Sequence, residues 1–66
     1  MIIETEQEED GRWIAEAQEI PGAMAYGATR EEAVAKVEAL TLRILADRLE
    51  NGEETPELDS MFTVAA

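Results

Sequence analysis

Gly27-Ala28-Thr29-Arg30-Glu31-Glu32-Ala33 is the stretch that decides the fold, because it turns the chain from extended backbone into helix. Thr29 followed three residues later by Glu32 reads as a capping box, in which the Thr29 hydroxyl accepts from the amide of Glu32 and the Glu32 carboxylate reaches back. Beyond it Ala33, Val37, Leu40 and Ile44 recur at helical spacing, with Val34, Leu45 and Leu49 widening the stripe. The spacing predicts one helix over residues 30–50 that buries a single side. Glu31 and Glu32 at its start and Arg43 and Arg48 near its end suit the helix dipole. Asn51-Gly52 supplies the stop, with Gly52 as the left-handed residue.

Working back from Gly27, the pattern has the period of strands. Residues 2–8 alternate Ile3, Thr5 and Gln7 with Glu4, Glu6 and Glu8, so one face is solvated. Glu9-Asp10-Gly11 is a hairpin turn, since Asp-Gly pairs tolerate positive φ. A second strand over 12–19 sets Trp13, Ala15 and Ala17 against Ile14, Glu16 and Gln18, and the small alanines leave room for a helix to lie close. Ile20-Pro21-Gly22 ends it, because Pro21 cannot donate to a ladder and Gly22 permits the bend. A short third strand over 23–26 is expected, with Met24 and Tyr26 as packing residues.

Working forward from Gly52, residues 53–59 form an acidic connector containing Pro56, too polar to pack by itself. Met61, Phe62, Val64, Ala65 and Ala66 then make an apolar tail. With no polar face to spare, 60–65 is expected to be a final strand, interior to a sheet or covered by another chain. The order is strand, strand, strand, helix, strand, and the expected class is α+β: one domain over 1–66 with a helix on one face of a small sheet.

Composition limits what such a domain can do. A chain of 66 residues buries only roughly 60% of the surface its unfolded form exposes. Eleven of its apolar residues are alanine, and one Trp, one Tyr and one Phe are its aromatics. Without Cys or His, neither disulfide nor a thiol- or imidazole-held metal can staple it, which leaves association between chains. Self-association through Met61, Phe62 and Val64 is expected.

Sixteen Asp and Glu against five Lys and Arg give a net charge of −11, which repels nucleic-acid phosphates and favours basic protein surfaces. Neither nucleic acid nor membrane is an expected partner: no apolar run approaches a membrane span, and the N-terminal MIIETEQEEDG has no secretory character. A cytoplasmic protein is expected.

No catalytic, cofactor or metal site is expected. A nucleophile needs a neighbouring base, and the chain has no histidine to act as one. Neighbouring carboxylates such as Glu8, Glu9 and Asp10 are what chance gives in so acidic a chain. Gly22 and Gly27 match no phosphate-cradling fingerprint. Trp13 reads as core rather than as a stacking platform. What remains is surface, and Ile14, Glu16, Gln18 and Glu19 are the candidate partner contacts.

Three segments together resemble the HicB antitoxin family: Glu9-Asp10-Gly11-Arg12-Trp13-Ile14-Ala15, Ile20-Pro21-Gly22, and Gly27 to Ala33. The family shows an acidic Asp-Gly turn, an aromatic-led strand, an acidic-Leu-Pro-Gly turn and a Thr-x-Glu-Glu-Ala helix start. Glu19 and Ile20 stand here where Asp and Leu are usual. The resemblance spans about residues 3–57 and implies a partial ribonuclease-H-like sheet without nuclease chemistry, its last strand running parallel beside the first. It also implies assembly into dimers or larger oligomers, and neutralisation of a small basic RNA-cleaving toxin by occlusion. The family's C-terminal DNA-binding domain is not expected, the sequence ending at Ala66, and the alternative is an orphan homo-oligomer with no toxin.

Overall fold

The computed structural model describes residues 1–65. Three strands, β1 (Ile3–Gln7), β2 (Trp13–Ala17) and β3 (Met24–Gly27), form an antiparallel sheet in the order β1-β2-β3. Helix α1 (Arg30–Glu50) follows, and then a single 3-10 turn at Pro56–Leu58. The coarse α+β class and the helix bounds agree with the sequence, while each strand begins or ends within a residue or two of its expected limits.

Local chemistry sets each boundary. At the first hairpin Glu8 N–H donates to the Arg12 carbonyl at 2.7 Å and Gly11 N–H to the Glu8 carbonyl at 3.0 Å. At the second, Ala23 N–H donates to the Ile20 carbonyl at 3.1 Å across Pro21 and Gly22, and Gly22 has φ +86°. That is the type II arrangement, which wants Pro first and a residue free to take positive φ second. Thr29 caps α1, its hydroxyl accepting from Glu32 N–H at 3.1 Å. The Glu32 carboxylate also forms an i,i+4 pair with Lys36 Nζ at 2.9 Å. The helix closes in a Schellman pattern, Glu53 N–H donating to the Arg48 carbonyl and Gly52 N–H to that of Leu49.

The core is small. Ala15, Ala17, Ile20, Ala23, Ala33, Val37 and Leu45 are buried, and only Ile20 and Val37 are both large and fully enclosed. Trp13 is half-buried against this cluster, on the helix side with Ala15 and Ala17 as the alternation required. On α1 the buried line is Ala33, Val37, Thr41 and Leu45. The expected stripe is therefore corrected: Leu40 and Ile44 are half-buried, and Leu49 is exposed. Twenty-one helical residues run about 31 Å, and strands of four or five residues only about 17 Å, so the last turns of α1 outreach the sheet.

The expected final strand over 60–65 is absent. Met61 and Phe62 N–H both donate to the Leu58 carbonyl, at 2.9 and 3.2 Å, so local turn bonds replace the ladder there. Met61, Phe62 and Val64 are exposed, and Ala66 lies outside the described residues. Both sheet edges, β1 and β3, are consequently unpaired among the described residues.

Candidate partner-binding surface

Because β2 sends Ala15 and Ala17 beneath the helix, Ile14 and Glu16 must face the other way. The register places Ile14 between Glu6 of β1 and Tyr26 of β3, and Glu16 between Glu4 and Met24. The uncovered face thus carries two cross-strand rows, Glu6–Ile14–Tyr26 and Glu4–Glu16–Met24. Carboxylates gather toward β1 and apolar side chains toward β3. A shallow depression of about 150 Å³ lies among Glu4, Glu6, Ile14, Glu16 and Met24. Met24 and Tyr26 remain 46% and 41% exposed.

Arg12 borders this surface, its guanidinium 4.7 Å from the Tyr26 ring centre and its Nε donating to Asp10 Oδ2 at 2.8 Å. The Arg12 backbone amide and then its guanidinium hold the Asp10 carboxyl below its ordinary range. Lys36 does the same for Glu32. Both folded-state pKa values are depressed, so these contacts help the fold above the ordinary carboxylate pKa and are lost as pH falls through the folded values.

Of the four contacts expected from sequence, the structure unites Ile14 and Glu16. Gln18 is exposed in the turn after β2. Glu19 is drawn to the sheet's end, where its carboxylate accepts from Ile2 N–H at 3.3 and 3.4 Å, beside Pro56 and Glu57. Glu4, Glu6, Met24 and Tyr26 join instead. This corrects the packing role expected of Met24 and Tyr26: over residues 23–26 Ala23 and Ala25 take the inward parity, which turns Met24 and Tyr26 outward.

Chemically, such a face can hold a cationic side chain by its charge and its aliphatic stem at once. Among the described residues no three carboxylates converge to hold a metal ion.

A second recess of about 310 Å³ lies between β1, the later turns of α1 and the tail, walled by Met1, Ile3, Leu42, Leu45 and Met61. Thr41 borders it, and its Oγ1 is buried without a hydrogen-bond partner. Such a group costs about 1–3 kcal/mol in desolvation. Thr41→Val, which keeps the shape, is expected to raise stability by about 1 kcal/mol, or roughly 4–8 °C in melting temperature for a domain of this size. Thermal denaturation followed by circular dichroism measures it, and an unchanged or lower midpoint contradicts it.

The chain matches no known family model, no curated protein and no solved structure.

Proposed function

We propose that this chain is a non-catalytic protein-binding module of the HicB antitoxin type, which neutralises a small basic RNA-cleaving toxin by covering its active face. The observation that carries this reading is the uncovered sheet face: an apolar strip of Ile14, Met24 and Tyr26 flanked by Glu4, Glu6 and Glu16. The net charge of −11 supports it by steering basic partners toward the chain. Strand, strand, strand, helix is the order that a partial ribonuclease-H-like domain requires, and the fourth strand expected of that fold is the element the described residues lack. The cytoplasm is the proposed compartment, and no helix among the described residues is long and apolar enough to cross a membrane.

Co-expression with the product of the adjacent reading frame, followed by calorimetric titration, tests the reading. A basic product that is toxic alone and bound by the chain is expected. Reversing two charges, Glu4→Lys with Glu16→Lys, should weaken binding about ten- to a hundredfold, since like charges then meet across the interface. A product that is not basic, not toxic alone, or not bound refutes the reading.

The exposure of Met61, Phe62 and Val64 favours a second reading, an orphan homo-oligomer with no toxin, held through the tail. Removing residues 60–66 should then leave monomers.

A further inference from the structure

We propose that two copies of this chain pair edge to edge through β3, antiparallel about a two-fold axis at Ala25, to give one continuous six-stranded sheet with the two α1 helices side by side. This pairing needs no toxin and uses a different surface from the tail.

The two free edges are not equivalent. β1 is guarded: Glu4 and Glu6 lie within it, Glu8 and Glu9 just beyond, and self-pairing would set carboxylates against carboxylates. Charge on an edge strand is how sheets avoid such pairing. β3, Met24-Ala25-Tyr26-Gly27, has no charged residue and no proline, and its outward side chains Met24 and Tyr26 are half in water. In a chain of net charge −11, a second copy meets the least repulsion here.

Register follows from the ladder. Ala17 N–H donates to the Ala23 carbonyl at 2.9 Å, so by antiparallel alternation Ala15 and Ala25 form a hydrogen-bonded pair. The Tyr26 N–H and the Met24 carbonyl therefore point to the free edge. An axis at Ala25 sets Tyr26 N–H of each copy against the Met24 carbonyl of the other. On the uncovered face it also brings each Met24 beside a Tyr26 ring.

The helix layer fits the same axis. A groove of about 570 Å³ runs along this edge, floored by Ala25 and walled on α1 by Glu32, Ala35, Lys36, Ala39, Leu40 and Arg43. Reversed, this wall sets the Glu32–Lys36 pair of one copy opposite Arg43 of the other, twice, so that Arg43 joins a carboxylate that already holds Lys36 at 2.9 Å, with Ala35 and Ala39 as the small residues of the contact. Helix α1 packs mainly over β2 and β3 and only marginally over β1. With strands about 4.8 Å apart, that puts the two helix axes roughly 10 Å from each other, the ordinary distance for packed helices, and Ala35 and Ala39 suit so close an approach.

Sedimentation equilibrium of the full chain, with circular dichroism as the control for folding, decides. Wild type is expected to reach twice the 7.3 kDa chain mass. Tyr26→Pro removes the outward N–H, which an edge strand tolerates, and should yield a folded monomer. Arg43→Glu should weaken the dimer about tenfold, the worth of two exposed ion pairs, and Glu32→Arg added to it should restore association. Should Tyr26→Pro fail to fold, the Arg43→Glu and rescue pair decides alone. A wild type still monomeric at about 1 mM overturns the proposal. So does a dimer indifferent to both Tyr26→Pro and Arg43→Glu, or one that only removal of residues 60–66 dissolves.

Discussion

Gly27→Ala is expected to cost this domain about 3 kcal/mol, roughly a third or more of its total stability. A Cβ on Gly27 would sit 2.5 Å from the Ala33 nitrogen, 3.0 Å from its Cα and 3.0 Å from the Glu32 carbonyl carbon. All three are backbone atoms of the first turn of α1, so no side-chain rotation relieves the clash and the helix must lift. Only Ala28 and Thr29 separate the end of β3 from the start of α1, and so short a link folds the strand's last residue directly beneath the helix. Overpacking in well-filled sites costs about 1–3 kcal/mol, and a contact with fixed backbone belongs at the upper end. A chain of 66 residues has a total stability of only about 3–10 kcal/mol. Urea denaturation should show a lower midpoint with an unchanged slope. Adding Ala33→Gly should not rescue the variant, because the Ala33 side chain is not what the new methyl meets. Wild-type stability in Gly27→Ala would mean that β3 and α1 do not approach as described.

This packing was only half legible in the sequence. Thr29 and Glu32 announced where the helix begins, because an N-cap is written in adjacent residues. Nothing adjacent announced that Gly27 touches that helix, and its glycine read as a strand end. The same division runs through the chain. Asp10-Gly11, Pro21-Gly22 and Asn51-Gly52 gave the turns, since turn chemistry is local. Which side of α1 is buried depends on the length of the sheet beneath it, and so Leu49 and Thr41 exchanged places with expectation: the periodic leucine extends past the strands, and the threonine lies over them.

The tail failed for a related reason. An apolar run reads as strand, but a strand needs an edge to pair with, and residues 58–62 close a turn on themselves instead. On the candidate surface Ile14 and Glu16 came from alternation within β2, whereas Met24, Tyr26, Glu4 and Glu6 reach it through register between strands. Glu19 left because its carboxylate found Ile2 N–H, a contact 17 residues apart in sequence. The turn that follows Glu19 concealed a large side chain that is fully buried.

Ile20→Ala is expected to destabilise the domain by about 2–5 kcal/mol, lowering the melting temperature by at least roughly 10 °C. Ile20 opens a turn, where sequence reasoning assigns only a stop, yet it is 1% exposed and is one of the two large side chains that the core fully encloses. The turn itself produces this burial: with Ala23 N–H bonded to the Ile20 carbonyl and Gly22 at positive φ, the chain doubles back and leaves the isoleucine pointing inward. Its core neighbours decide the magnitude. Ala17 and Ala23, which the turn's backbone bonds hold beside Ile20, have no rotamers with which to fill the vacated volume, so part of the cavity persists and the cost stays within that range. Ile14→Ala removes the same atoms from the uncovered face, where Ile14 is only partly buried, and should cost less, about 1–2 kcal/mol. Parallel thermal and urea melts of the two variants make the comparison. Equal losses, or a smaller loss for Ile20→Ala, would mean that the Ile20 turn does not close over the core.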